Sequence, residues 1–480
     1  MIPVSLSKLV ARLRTPVVSG KRSFPGLEVE LKNCDTLDQD SMLLTGVAID
    51  SRHVQDGFVF AAFQGDHCHG IDHADSAIQE GARLVICEPG AAKEQRFPML
   101  EVTDLSQALQ HLAIATQSSE ENQLQTVAVT GSVGKTTTCH LGSRFCSDSF
   151  STHSPRNSFN NFLGVPVTIL EAPAETEVLW LEMGTNQPGE ISGLSAIGRP
   201  DIAVVTAVGA THLEGLGSIE GVFREKLSIF EQDDVRLAIA PVEYRDSNFS
   251  KPCWWTGPGG DVEVMVDPSK AGRFRVEHRP LGHSFEIEAP LAGTGALRCL
   301  ESALAATLEL GVSVDKICQI SPHLDFPGLR QEKHSVGGIE LIFDCYNASP
   351  PSVNAAVRDL AASTGKRTVA ILGTMEELGG TEADYHFEIG KLCAEAGIDM
   401  LWCCGRGAEW LKNGSRSAGG EAETLPSGEV GLRELESFLK VGDRVLFKAS
   451  RKEALEKLAS QLKANLQKKI SSASSGGGSR

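Results

Sequence analysis

Apolar and polar residues along this chain fall into three successive blocks, each of which predicts a separate α/β domain. In the first block, the apolar runs Gly57–Phe63 and Ala82–Cys87 predict strands, and Asp75–Glu80 between them predicts a helix. We expect a small α/β domain over residues 1–122. The polar run Gln117–Asn122 at its end indicates a linker.

The second block contains apolar runs of the length expected for strands that are buried on both faces. Val178–Met183 and Asp201–Thr206 are two such runs, and they predict a central domain with a parallel sheet over residues 123–327. Ligands bind at the carboxyl ends of parallel strands, so Glu182 and His212 are expected close to a ligand. A polar residue after a strand is also often a simple cap, and the pattern alone leaves that alternative open.

The third block alternates strands and helices in the manner of a Rossmann-like domain, which we expect over residues 328–470. The predicted strands are Ile339–Phe343, Arg367–Leu372, Met400–Cys404 and Arg444–Lys448, and the predicted helices lie near Ser352–Ala362, Tyr385–Ala396 and Lys452–Asn465. The dinucleotide fingerprint G-x-G-x-x-G is absent, so a hydride-transfer cofactor is not indicated. Residues 471–480 are small and polar, which predicts a disordered tail.

Composition narrows the class of protein. The length of 480 residues agrees with about three domains, and the formal net charge of −17 argues against a surface for nucleic acid or anionic membranes. The twelve cysteines show no C-x-x-C pair, which favours reduced thiols over disulfides or a zinc site. No apolar run has the length of a secretion signal or a membrane span. We expect a cytoplasmic monomer that binds neither nucleic acid nor membranes.

The segment Thr126–Thr138 joins a β-branched strand to a glycine-containing loop and the start of a helix. Two glycines let the backbone N–H groups face an anion, the following lysine reaches the outer phosphates, and the next threonine hydroxyl can bind Mg²⁺. Val129 stands where a full Walker pattern has glycine, so this is the shorter T-G-x-x-G-K-T form; a simple glycine turn before a helix is the alternative. The pattern predicts a nucleoside triphosphate bound by Gly131, Ser132, Val133, Gly134, Lys135, Thr136 and Thr137.

Further motifs, in their order and spacing, resemble the Mur ligase family over nearly the whole chain. They are Asn160–Pro166, Leu181–Asn186, Thr211–Gly215 and Glu225-Lys226 in the central block, with Asp50-Ser-Arg52, Asp344–Ala348 and Gly373–Gly379 in the flanking blocks. The resemblance implies a three-domain ligase that uses ATP and Mg²⁺ and forms ADP and phosphate. It implies the addition of D-alanyl-D-alanine to UDP-N-acetylmuramoyl tripeptide through an acyl phosphate, in peptidoglycan precursor synthesis.

The resemblance also implies roles for individual residues. Implied catalytic residues are Lys135, His212 and Lys226; implied Mg²⁺ ligands are Thr136, Glu182, His212 and a carbamylated Lys226; implied nucleotide contacts beyond the loop are Asn160, Asn161, Arg330 and Asp344; implied substrate contacts are Asp50, Ser51, Arg52, Tyr346 and Asn347. Simpler readings are open for several of them. Lys226 could be a solvated helix lysine, the two asparagines could cap a loop, and the Asp50 turn could be a surface salt bridge.

Some positions depart from the family pattern. Arg298–Ser302 stands where the family has H-N-x-x-N, and Gly373-Thr-Met375 replaces G-D-M. These changes leave open a binding or regulatory paralogue without turnover. A Mur ligase for another amino acid is a further alternative, although the D-N-P-R signature of the diamino-acid enzymes is absent from the third block. The loop alone would also fit a motor or switch NTPase.

Overall fold

The computed structural model describes residues 3–35, 37–65, 68–91, 96–118, 124–156, 158–247, 249–291, 293–362 and 367–475. Helices and strands are numbered in chain order. The first domain contains β1 Val4–Ser5, α1 Leu6–Arg14, β2 Val17–Ser19, β3 Arg22–Phe24, β4 Val29–Lys32, β5 Leu43–Leu44, β6 Gly46–Ala48, β7 Phe58–Ala61, α2 Ala74–Gln79, β8 Leu84–Cys87, β9 Met99–Val102 and α3 Leu105–Gln117. The predicted linker and the 122/123 boundary fall mostly on 119–123, outside the described residues.

The main sheet of the first domain has the strand order β4-β9-β8-β7-β6. Its strands from β6 to β9 are parallel, and β4 joins β9 in antiparallel fashion. Helix α3 begins where the Asp104 carboxylate accepts a hydrogen bond from Gln107 N at 2.8 Å, which satisfies one free N–H of the first turn. The prediction of a small α/β domain is confirmed.

The central domain contains β10 Gln125–Thr130, α4 Lys135–Cys146, β11 Thr152–His153, α5 Gly164–Glu171, β12 Val178–Glu182, α6 Glu190–Gly198, β13 Ile202–Val205, α7 Leu213–Leu216, α8 Ile219–Leu227, β14 Leu237–Pro241, β15 Cys253–Thr256, β16 Val262–Val266, β17 Arg273–His278, β18 His283–Glu288, α9 Thr294–Glu309 and α10 Val314–Ile320. Its sheet has the order β11-β12-β10-β13-β14-β15-β16-β17-β18. The strands from β11 to β16 are parallel, as predicted, and β17 and β18 extend the sheet as an antiparallel hairpin.

The two faces of the central sheet belong to different hydrophobic cores, because side chains alternate along a strand. In β10, Val127 and Val129 pack on the side of α4 and α9, while Ala128 faces the opposite core. That opposite core is continuous with the core of the first domain through α3, α5 and α6. The first and central domains are therefore joined by buried apolar packing.

The third domain contains β19 Glu332–Val336, β20 Ile339–Phe343, α11 Pro350–Ala361, β21 Thr368–Leu372, α12 Glu382–Glu395, β22 Met400–Cys403, α13 Ala408–Ser417, β23 Ala422–Thr424, α14 Gly428–Phe438, β24 Arg444–Lys448 and α15 Leu455–Ser475. Its sheet has the order β19-β20-β24-β21-β22-β23, parallel except for the edge strand β19. Helix α11 begins with Pro350, whose missing N–H is no loss in a first turn. The predicted Rossmann-like arrangement is confirmed.

The predicted disordered tail over 471–480 is wrong for its first half. Helix α15 continues to Ser475, and Ser471 Oγ donates to Gln467 O at 3.1 Å within it. Extending an existing helix costs far less than starting one, so small polar residues can continue it. Residues 476–480 lie outside the described residues. Within the described part of the chain, none of the helices combines the length and the hydrophobicity needed to cross a lipid bilayer.

Candidate functional site

The loop between β10 and α4 has the backbone of a phosphate-binding loop. Gly131 and Gly134 have φ values of 149° and 87°, a region that favours glycine. Space is also limiting, because a Cβ on Gly131 would lie 2.0 Å from Thr206 Oγ1 and one on Gly134 would lie 2.8 Å from Cys299 Sγ. The loop therefore requires glycine at both positions, and the N-terminus of α4 is left facing the space above the sheet.

The middle of the loop is anchored to the segment that follows β13. Ser132 Oγ lies 2.8 Å from Thr211 Oγ1, and Thr206 Oγ1 donates to Val133 O at 2.5 Å. Thr137, in the first turn of α4, is buried. These contacts fix the position of the loop before any ligand is present.

Lys135 folds back over this loop, and its Nζ donates to Gly131 O at 2.8 Å. Burial lowers the pKa of the Lys135 ammonium, and the Glu182 carboxylate acts in the opposite direction. The outer phosphates of a bound nucleotide would replace the Gly131 carbonyl as the partner of this ammonium.

Glu182, the last residue of β12, accepts hydrogen bonds from polar side chains around the loop. The carboxylate is buried; Thr136 Oγ1 donates to its Oε2 at 2.6 Å, and Asn160 Nδ2 donates to its Oε1 at 2.7 Å. These are hard oxygen donors of the kind Mg²⁺ prefers. Within the described residues, no three His, Cys, Asp or Glu side chains form a metal-binding cluster. The donor set fits a Mg²⁺ that takes its remaining ligands from phosphate and water.

Asn161 has a different role from Asn160. Its side-chain oxygen accepts hydrogen bonds from Leu163 N at 3.1 Å and Gly164 N at 2.8 Å, at the start of α5. The simpler reading, loop capping, therefore describes the oxygen of Asn161. Only the first asparagine of the pair reaches the Glu182 carboxylate in this structure.

Lys226 lies near the end of α8 and is fully buried. Its Nζ has no hydrogen-bond partner among the described residues. Burial lowers the pKa of its amine well below the ordinary value, and the nearby charge of Lys135 lowers it further. The neighbouring Glu225 carboxylate instead accepts hydrogen bonds from Gly189 N at 2.6 Å and Ile191 N at 2.7 Å. The reading of Lys226 as a solvated helix lysine is therefore wrong.

His212 meets a residue of the third domain. It precedes α7 with a left-handed backbone, φ 53°, and its Nδ1 lies 2.5 Å from Glu377 Oε2, although the pair does not have the alignment of a hydrogen bond. The His212 imidazole holds the pKa of the Glu377 carboxyl below its ordinary value. Glu214 N also donates to Glu377 O at 3.4 Å.

Arg330 makes the second contact between these domains. Its Nη2 donates to Thr136 Oγ1 at 3.1 Å and to Ser158 Oγ at 3.2 Å. The guanidinium stacks on the ring of Tyr346, 3.7 Å from the ring centre. The residues on either side, Leu329 and Gln331, have left-handed backbones with φ values of 57° and 53°. A cation of the third domain thus reaches the phosphate loop of the second.

Asp344, at the end of β20, is paired with a lysine. Lys448 Nζ donates to Asp344 Oδ2 at 2.8 Å and to Asn347 O at 3.0 Å, and Lys448 is buried. Tyr346 N donates to Leu329 O at 3.2 Å. The D-x-Y-N-A segment is therefore held against the connection that carries Arg330.

Comparisons with known proteins agree with this geometry. Protein-family models match consecutive parts of the chain: "Mur ligase family, catalytic domain" over residues 43–117, "Mur ligase middle domain" over 129–250 and "Mur ligase, glutamate ligase domain" over 329–451. A curated UDP-N-acetylmuramoyl-tripeptide--D-alanyl-D-alanine ligase of Mycobacterium leprae is 30% identical over 486 residues, covering 87% of this chain and 92% of its own. This chain belongs to the Mur ligase family.

Other relatives cover a similar share of this Mur ligase. The enzyme of the same name from Escherichia coli is 28% identical, over 97% of this chain and 99% of its own. Among solved structures, MurF from Acinetobacter baumannii matches with a TM-score of 0.80 at 26% identity, covering 96% of this chain and 99% of that one. MurF ligase from Thermotoga maritima in complex with ADP matches with a TM-score of 0.77 at 26% identity, covering 89% and 99%.

The Asp50 turn of this Mur ligase forms a local ion pair. The Asp50 carboxylate accepts hydrogen bonds from Arg52 Nε at 2.9 Å and Nη2 at 2.6 Å, and also caps Arg52 N at 3.0 Å. Arg52 lowers the pKa of the Asp50 carboxyl to about 2. Ser51 begins the short 3-10 helix Ser51–His53. Arg52 is largely exposed, so the structure shows the surface salt bridge that the simpler reading describes.

The divergent segment Arg298–Ser302 lies on α9 beside the phosphate loop. Cys299 Sγ lies 3.6 Å from Gly134 O, and Arg298 Nη1 donates to Glu243 Oε2 at 3.2 Å. Glu301 points the other way, into the core, where burial raises its pKa to about 7. Only part of the changed motif therefore borders the nucleotide-binding loop of this Mur ligase.

Sequence reasoning missed three residues of the site: Ser158, Glu377 and Lys448. Glu377 lies inside the motif Gly373–Gly379, and Lys448 ends a predicted strand. The sequence therefore marks both positions, but it does not show which distant residue each of them contacts. Ser158 carried none, since a serine in a polar loop is common.

Proposed function

We propose that this chain is an ATP-dependent ligase that adds D-alanyl-D-alanine to UDP-N-acetylmuramoyl tripeptide and releases ADP and phosphate. The names of the full-length relatives support this reaction. The observation that carries the proposal is the reach of Arg330, from the third domain, to Thr136 in the phosphate loop. A site completed across two domains suits a reaction that must shield an activated carboxylate from water.

In this proposal the nucleotide lies on the loop between β10 and α4. The N–H groups of the loop and the ammonium of Lys135 hold the phosphates of ATP, and Asn160 and Asn161 lie beside them. Thr136 and Glu182 would hold one Mg²⁺ ion, and His212 with Lys226 would hold a second. Bound Mg²⁺ offsets the charge that would otherwise keep the substrate carboxylate and the triphosphate apart.

Lys226 takes part as a carbamate. Burial lowers the pKa of this amine and so favours its neutral form, whose free electron pair can attack CO₂ to form N–COO⁻ with loss of a proton. This converts an unpaired buried nitrogen into an anion with oxygen ligands. The unpartnered Nζ of Lys226 supports this role.

The reaction proceeds in two balanced steps. A carboxylate oxygen of the tripeptide attacks the γ-phosphorus, the bond to the β–γ bridging oxygen breaks, and ADP leaves. The amine of the dipeptide then attacks the acyl carbon, the nitrogen loses a proton, and the tetrahedral intermediate expels inorganic phosphate. Lys135 and Arg330 are placed to hold the phosphoryl oxygens while charge develops on them.

The remaining assignments follow the domain order. Residues 1–122 bind the UDP end of the precursor, with Asp50, Ser51 and Arg52 contributing; 123–327 bind ATP; and 328–470 bring Asp344 to the ribose and Tyr346 and Asn347 to the substrate. The protein acts as a cytoplasmic monomer. In the structure the Asp344 carboxylate accepts a hydrogen bond from Lys448, so it would have to contact the ribose while it keeps this partner.

The test is phosphate release from ATP with Mg²⁺, UDP-N-acetylmuramoyl tripeptide and D-alanyl-D-alanine, with each component omitted in turn and the product mass measured. Release that requires every component, with the mass of the added dipeptide, is expected. Product with a different amine would show another Mur ligase specificity. Precursor binding without product from any amine would replace the proposal with the regulatory paralogue.

A further inference from the structure

Glu377 is a carboxylate that the third domain brings to the proposed metal ligand His212. It lies on the loop between β21 and α12. The residue before it, Glu376, pairs instead with Arg406 and Lys452, at 3.4 Å each. Glu377 instead reaches across the domain boundary, with Oε2 2.5 Å from His212 Nδ1. Two adjacent glutamates therefore serve different partners.

The backbone on both sides is held in an unusual conformation for this contact. His212 has φ 53° and Glu377 has φ 64°, and a left-handed backbone is unfavourable for a residue other than glycine. Glu214 N donates to Glu377 O, which joins the two segments by the backbone as well. Two such residues face each other only because the surrounding contacts hold them there.

The contact decides which nitrogen of His212 is available to a metal. With Nδ1 against the carboxylate, Nε2 is the remaining ligand atom. The Glu377 carboxylate is close enough that a small rotation of the ring would align the Nδ1–H···Oε2 hydrogen bond, and a carboxylate hydrogen-bonded to the far nitrogen fixes the tautomer and the ring plane of a metal-binding histidine.

We propose that Glu377 is a positioning residue that orients His212 for the second metal ion, so that this ion is bound fully only when the third domain is docked. The inference rests on the proposed role of His212 in the ligase reaction. It assigns to the third domain a part in assembling the metal site, in addition to the contact that Arg330 makes with Thr136 beside the phosphate loop.

The test measures binding of Mn²⁺ to the full chain in the presence of a non-hydrolysable ATP analogue, by electron paramagnetic resonance. Glu377→Ala is expected to weaken the second Mn²⁺ site by about 10- to 100-fold, the usual effect of removing such a partner. Affinity for the analogue without metal should stay at the wild-type value. Glu376→Ala, which removes the adjacent carboxylate, is the matched control and should bind Mn²⁺ as the wild type does.

A double-mutant comparison separates positioning from general stability. If Glu377 acts through His212, adding Glu377→Ala to His212→Ala causes no further loss of Mn²⁺ affinity. Equal effects of Glu376→Ala and Glu377→Ala, or additive effects in the double variant, would overturn the proposal. The binding assay needs no turnover, so it remains decisive even where the ligase assay yields no product, an outcome that would count against the proposed function alone.

Discussion

Replacing Glu301 by glutamine should increase the free energy of unfolding relative to the wild type, and this gain should be larger at neutral pH than at acid pH. Glu301 lies on α9 and is 3% exposed; its Oε1 accepts a hydrogen bond from Val264 N at 3.1 Å, and its Oε2 has no hydrogen-bond partner among the described residues. Burial raises the pKa of this carboxyl from 4.5 to about 7. Glutamine keeps the accepting oxygen and carries no charge at any pH.

The magnitude follows from proton linkage. Between pH 4.5 and 7 the folded wild type keeps a proton that the unfolded chain has lost, so its free energy of unfolding falls as pH rises through this window. Each pH unit of that window corresponds to about 1.4 kcal/mol, which gives a total of about 3 kcal/mol. Glu301→Gln removes the loss. The stability difference between variant and wild type should therefore grow by about 3 kcal/mol from the lower to the upper end of the window.

Urea unfolding followed by tryptophan fluorescence, at about pH 5 and about pH 8, measures this difference. The part of the stability difference that does not change with pH reports the unpaired amide that glutamine introduces, and only the part that grows with pH reports the titration of Glu301. Parallel pH dependences for variant and wild type would refute the reasoning, because they would mean that Glu301 is ionised in the folded protein.

Three further substitutions test the site. Lys135→Ala should abolish phosphate release with an unchanged unfolding midpoint, and retained turnover would contradict the role of the loop lysine. Lys226→Met should remove ligase activity while raising the free energy of unfolding by about 1–3 kcal/mol in CO₂-depleted buffer, since it deletes an unpaired buried amine; a loss of stability would argue against that environment. Arg330→Lys keeps the charge but loses the stacking on Tyr346 and the planar donors, and should lower kcat/KM by roughly 30-fold, or about 2 kcal/mol; wild-type kinetics would show that charge alone suffices.

Features set by neighbouring residues were predictable from the sequence. The strands Ile339–Phe343 and Arg444–Lys448 have the predicted bounds, because short and mainly apolar segments of this length fit buried parallel strands. The phosphate loop and the position of Glu182 at the end of β12 followed from the same logic, since parallel strands bring their carboxyl ends to one edge.

Contacts between distant segments could not be predicted in this way. The pairing of His212 with Glu377 depends on how the third domain docks, and no local pattern encodes it. Asn161 was indistinguishable from Asn160 by residue type, and only the start of α5 decides that its oxygen caps a helix. The hairpin of β17 and β18 lies beyond the parallel strands, in a stretch where alternating charges conceal the apolar face.

Four left-handed residues at the boundary between the second and third domains, His212, Leu329, Gln331 and Glu377, have a consequence for turnover. At about 1–2 kcal/mol each, the strain of these four backbones sums to roughly 4–8 kcal/mol, which the contacts across the boundary have to offset. We expect bound nucleotide and substrate to offset part of this strain while they bridge the two domains. When the products no longer bridge them, the strain favours separation, so we expect the backbone that aligns the reacting groups also to hasten the departure of ADP and the finished peptide.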